Sequence, residues 1–198
     1  MDNYLDGGYH VSFLHKDLTT GLDINSYETE VGDRYSLQKC KGSDAEDAGQ
    51  KDRLGSSAVF AYLYPNMMIN RYGPWMDTNV VFPISIQNIY LFSLLRIVGQ
   101  VLTFPILAKN TSRVIFDYYL EDTKWTSFAN DDERQNYIKD CLKNSDQVQQ
   151  EDDFICNAVQ RGLESSAYDV GRYAPKVEMA DHKFHLLLAQ SYQNYLNK

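Results

Sequence analysis

The chain predicts an α+β domain in which an antiparallel sheet is built first and covered by later helices. Three observations carry that reading. Strand candidates lie between residue 26 and about residue 120, the longer helical stretches lie in the last third, and Pro65-Asn66 marks a turn between two strands. Aromatics make up 13% of the 198 residues, with 15 Tyr among them, which suits a pleated, half-buried surface. That length supports one well-cored domain, here residues 1–198.

Residues 1–18 are compact and partly helical, with Gly7 and Gly8 adjacent. Residues 26–41 alternate through Tyr27, Val31, Tyr35 and Leu37 as a strand. Residues 42–56 are polar and Gly-rich and read as a surface loop. Strands follow at Ala58–Tyr64 and Met67–Tyr72, separated by the turn pair Pro65-Asn66, then at Thr78–Phe82 and Val114–Leu120. Helices are expected over Asp131–Lys143, Ser145–Leu163 and Met179–Leu196.

Ile84–Leu107 is far more apolar than its surroundings. Arg96, Gln87, Asn88 and Gln100 interrupt it, which argues against a membrane span. It reads as an irregular apolar insertion between two strands, of the kind a retained intron would leave. The net charge of −8 argues against a nucleic-acid partner, because phosphate binding needs a basic face. Cys40, Cys141 and Cys156 are odd in number and never at CxxC spacing, so they read as reduced structural thiols.

Two features point to a metal. His10 and His15 stand five residues apart, about 140° around a regular helix, so they converge only if the helix ends or bulges between them. Asp152 completes the apolar series Val148, Ile155, Val159 and Leu163, which places it on the inward face of its helix, with Glu151 and Asp153 off that face. An inward carboxylate needs compensation, from a metal ion or from a basic partner such as Arg161 or Arg172. Two His and one carboxylate are the facial triad of non-haem Fe(II) oxygenases, which leaves the opposite coordination positions open.

Longer blocks carry a resemblance. Asn3-Tyr4-Leu5-Asp6-Gly7-Gly8-Tyr9-His10 with His15-Lys16-Asp17-Leu18 resembles the iron-binding motif of Rieske-type ring-hydroxylating oxygenase α-subunits, in the wording of the plant branch that oxidises choline. Tyr64-Pro65-Asn66, Met68–Trp75, Val114–Leu120, Gln150-Glu151-Asp152, Val159–Ser165 and Gly171-Arg172-Tyr173 continue it, over nearly the whole chain except Ile84–Leu107. The resemblance implies a helix-grip domain, an antiparallel sheet around a long C-terminal helix. It implies mononuclear Fe(II) on His10, His15 and Asp152, with Asn3 near the metal and Asp6 as an electron relay.

It further implies choline and O₂ as substrates, and electrons from ferredoxin through a [2Fe-2S] Rieske cluster. Betaine aldehyde hydrate would be the product and the chloroplast stroma the location. The ligands of that cluster are absent here, since it needs paired Cys and His. The N-terminal Rieske domain would then come from full-length subunits in a homo-oligomer. A truncated isoform inactive alone, or a ligand-binding helix-grip remnant, stands as the alternative. A quaternary ammonium donates no hydrogen bond and is held by aromatic faces, for which Tyr62, Tyr64, Tyr72 and Trp75 are the candidates. His182 and His185 on the final helix read as structural.

Overall fold

The computed structural model describes residues 1–43, 53–84, 95–97, 100–102 and 111–198. Three short helices open the chain: α1 (Asp2–Leu5), α2 (Val11–Leu14) and α3 (Lys16–Gly21). The strands are β1 (Leu22–Val31), β2 (Tyr35–Gly42), β3 (Ser57–Leu63), β4 (Met67–Tyr72), β5 (Trp75–Ile84), β6 (Leu95–Ile97), β7 (Gln100–Leu102) and β8 (Thr111–Leu120). Helices α4 (Asp122–Trp125), α5 (Asp131–Leu163) and α6 (Met179–Leu196) close it. The α+β expectation with an antiparallel sheet holds.

Six strands form one antiparallel meander in the order β1-β2-β3-β4-β5-β8. The stretch expected as a single strand over 26–41 is a hairpin, because Gly32 to Arg34 turn the chain between β1 and β2. Strands β5 and β8 pair from Trp75↔Leu120 to Ile84↔Thr111, so the intervening residues link two antiparallel neighbours. Of the apolar insertion expected there, β6 and β7 are described and pair as a hairpin; the rest lies outside the described residues. Among the described residues no helix is long and apolar enough to cross a membrane.

Register decides what one face of the sheet presents. Gln38, Phe60, Asn70, Asp77 and Tyr118 stand side by side across five strands. Cys40, Ala58, Tyr72, Trp75 and Leu120 form the next row of the same face, two residues away along each strand. That second row packs against Ile138 and Cys141 of α5 to make the main core. A second core, of Leu5, Tyr62, Met68, Ala180 and Phe184, joins α1, the sheet and α6.

The two helices expected over 131–163 are one, of 33 residues, about 50 Å at 1.5 Å per residue. Asn130 caps it by accepting the Glu133 N–H at 2.9 Å, while three acidic residues in the first turn complement the helix dipole. The Asn144-Ser145 pair does not break it. Ser145 Oγ bonds the Tyr118 hydroxyl at 2.7 Å, and Gln149 Nε2 donates to the same hydroxyl at 2.7 Å. Contact with the sheet thus overrides weak helical propensity.

Candidate metal centre

The two histidines converge because the helix between them is a single turn. His10 precedes α2, and His15 ends it at φ −98°, ψ 76°, outside the helical region. The entry into that turn needs glycine. Gly7 and Gly8 have φ of 72° and 76°, and a Cβ on Gly8 would lie 2.7 Å from the Tyr27 ring. The imidazole rings end 5.2 Å apart at 84°, edge to face.

Asp152 reaches them from α5. Its Oδ1 lies 3.0 Å from His15 Nε2 and 3.7 Å from His10 Nε2, and accepts the Asn3 side-chain amide at 2.8 Å. One ligand atom from each of His10, His15 and Asp152 lies within 4.8 Å of the others. Neither Arg161 nor Arg172 pairs with it. Val148, Asp152 and Cys156 share the cavity face, whereas Val159 and Leu163 further along the predicted apolar stripe are exposed, because α5 runs on past the sheet.

Each histidine is oriented through its other nitrogen. His10 Nδ1 lies 2.9 Å from Asp6 Oδ2, and His15 Nδ1 lies 2.7 Å from Glu151 Oε2. Asp6 also accepts the backbone N–H groups of Gly8, Tyr9 and His10, so one carboxylate holds both the turn and the ring. A carboxylate on Nδ1 favours the tautomer whose Nε2 carries a lone pair. Two such lone pairs and a carboxylate oxygen then converge, a donor set that suits a divalent cation. Burial lowers the His15 pKa, and hydrogen bonds to the Asp152 and Glu151 carboxylates, with their charge, more than reverse it, so the net shift is upward. The two acids therefore favour positive charge on the ring between them. The helical-face argument set Glu151 aside; only its adjacency to Asp152 marked it.

The triad sits at the edge of a cavity of about 530 Å³ between the sheet and α5. Its aromatic wall is Tyr4, Tyr27, Phe60, Tyr72, Phe116 and Tyr118. Of the four rings chosen from sequence, Tyr72 alone lines it. Tyr62 donates to the Pro65 carbonyl and meets Phe184 edge-on, Tyr64 bonds Ser191 of α6, and Trp75 stacks on Tyr137 of α5. Alternation marked these as half-buried without saying which partner covers them.

The cavity also holds a buried acid that no motif announced. Asp77 is 3% exposed and accepts Asn70 Nδ2 at 2.7 Å and the Tyr72 hydroxyl at 2.9 Å. Tyr4 donates to Asn70 Oδ1 at 2.7 Å, which ties the segment carrying Asn3 to the sheet. Burial raises the Asp77 pKa, and hydrogen bonds from Tyr72, Asn70 and Asn79 offset part of that rise. The Arg53 guanidinium lies 5.8 Å from the Tyr72 ring centroid.

Residues 1–194 match the family of ring hydroxylating alpha subunits, catalytic domain. The chain is 46% identical over 187 residues to the chloroplastic choline monooxygenase of Arabidopsis thaliana, covering 94% of this chain and 37% of that protein. To the chloroplastic choline monooxygenase of Spinacia oleracea it is 35% identical over 190 residues, covering 96% and 36%. It thus spans little more than a third of the length of these curated relatives. Among solved structures, a quaternary ammonium Rieske monooxygenase studied for carnitine oxidation by gut microbiota matches with a TM-score of 0.63 at 18% identity, over 96% of this chain and 45% of that one. An inhibitor complex of a quaternary ammonium Rieske monooxygenase gives 0.60 at 17%, over the same shares.

Proposed function

Because this chain belongs to the family of ring-hydroxylating α-subunits, matching their catalytic domain, we propose that it is the mononuclear-iron part of a Rieske-type monooxygenase that oxidises choline to betaine aldehyde hydrate. The observation that carries the proposal is the meeting of His10 Nε2, His15 Nε2 and Asp152 Oδ1 at the edge of an aromatic-walled cavity. His10, His15 and Asp152 would hold a ferrous ion, which would supply the redox chemistry for O₂, with electrons from a [2Fe-2S] cluster fed by ferredoxin. One oxygen atom enters the C–H bond of the alcohol-bearing carbon and the other leaves as water, with two electrons and two protons consumed.

The protein's own residues hold and orient. Asp6 and Glu151 fix the two imidazoles, and Asn3 fixes the Asp152 oxygen that faces them. Asp6 is also our candidate for electron entry, since it contacts His10 Nδ1. Tyr4, Tyr27, Tyr72 and Tyr118 present ring faces and edges to a trimethylammonium head, and Asp77 adds a buried negative charge. Met68, Val81 and Phe116 make the apolar part of the wall. We read α5 and the sheet as the helix-grip arrangement. The plastid location follows the chloroplastic relatives. The cluster would come from the remainder of a longer chain or from another subunit. The test is turnover: iron-loaded chain, a Rieske domain supplied in trans, ferredoxin and choline. Betaine aldehyde formed in the parent and lost in His15→Ala supports the assignment. No product despite full iron occupancy and a reduced cluster overturns it.

A further inference from the structure

A second cluster lies away from the cavity, where α1 crosses α6. Asp181 and His185 stand one helical turn apart on the same face of α6, and Asp2 reaches them from α1. His185 Nε2 is 3.3 Å from Asp2 Oδ1 and 3.9 Å from Asp181 Oδ1, and the three ligand atoms all lie within 4.8 Å of one another. Asp181 is only 7% exposed, and its Oδ1, the atom aimed at this cluster, has no hydrogen-bond partner among the described residues. On the far side of the ring the Tyr173 hydroxyl contacts His185 Nδ1.

We propose that Asp2, Asp181 and His185 form a second divalent-cation site, suited to zinc, that fastens the first helix to the last. Zinc bonds of about 2.0–2.2 Å to His N and carboxylate O put tetrahedral ligands roughly 3.3–3.5 Å apart, a spacing that the 3.3 Å between His185 and Asp2 matches and the 3.9 Å between His185 and Asp181 exceeds by about 0.4 Å. The Tyr173 hydroxyl, as acceptor on Nδ1, sets the tautomer that leaves Nε2 free to ligate. Two carboxylates and one imidazole converge on a single point, a donor set that a divalent cation takes. The consequence reaches the first site, because Asn3, which holds Asp152, directly follows Asp2 on α1.

The test is calorimetric titration of the metal-stripped full chain with zinc(II) alone. The parent takes up about two ions per chain, while Asp2→Asn and His185→Gln each take up about one, the one that Asp152→Ala loses. Tyr173→Phe keeps the second ion with about tenfold weaker affinity. Asp2 is exposed, so Asp2→Asn should fold whatever becomes of His185, with circular dichroism as the check. Parental uptake in folded Asp2→Asn and His185→Gln overturns the site. Unchanged uptake in Asp152→Ala instead overturns the first centre, so the two failures are distinct.

Discussion

The two clusters of two acids or imidazoles around a third ligand differ in what surrounds them. At His10, His15 and Asp152 each imidazole has a carboxylate on its far nitrogen, and the group opens onto a cavity of about 530 Å³. At Asp2, Asp181 and His185 the single imidazole has a tyrosine hydroxyl behind it, and the residues do not line that cavity. Ligand geometry alone is therefore shared by both. A carboxylate behind each imidazole and a chamber beside the ligands separate the proposed centre for chemistry from the proposed fastening point.

Substitutions in the cavity cluster have the largest expected effects. His15→Ala leaves Glu151 and Asp152 facing each other without a cation between them; iron content after anaerobic loading falls to background and turnover is lost. Glu151→Gln keeps the ligands and loses the carboxylate on His15 Nδ1. Iron affinity should fall about 10–100-fold, measured by chelator competition, with the fold intact. An effect no greater than that of Gln147→Ala would break the distinction drawn here.

How far the sequence foretold this site depends on the residue. His10, His15 and Asp152 were legible because a helical-face argument and a motif chose the same acid. Glu151 was not, since helical phase says where a side chain starts and a two-carbon reach lets it return to a neighbour. Asp77 carried no signal at all: its role is created by register, which sets it beside Asn70 and Tyr118 from strands far apart in sequence. Strand positions were read well where turn residues bounded them. The hairpin at Gly32 and the unbroken α5 were missed, the first because alternation continues through the turn, the second because a tertiary hydrogen bond at Ser145 supports weak helix formers. Tyr62, Tyr64 and Trp75 show the limit of composition. They are aromatic and sit on the sheet, Tyr62 and Trp75 buried and Tyr64 half-buried, yet serve α6 and α5 and not the cavity.

Smaller effects sharpen the same contrast from the cavity wall. Asp77→Asn should raise KM for choline about tenfold while kcat changes less, because the charge it removes acts on the bound cation and not on the reacting carbon. Its stability effect has a definite sign with pH. A folded carboxyl with a raised pKa favours the fold in acid and loses that contribution as pH rises through the folded pKa. Denaturant melts should therefore show the parent gaining on Asp77→Asn as pH falls from neutrality toward the ordinary carboxylate range. The smallest effect belongs to the overhanging end of α5. Val159→Ser, at an exposed position, should change stability by no more than about 0.5 kcal/mol, and a larger loss would mean that this end packs on something.

The two imidazoles and Asp152 are proposed to hold a ferrous ion within reach of a cationic substrate. Anaerobic loading with Fe(II), followed by the paramagnetic resonance of its nitric oxide complex with and without choline, tests it most directly. The parent should give a signal that choline perturbs, absent from folded Asp152→Ala. A signal that survives Asp152→Ala, or one indifferent to saturating choline, would contradict the account.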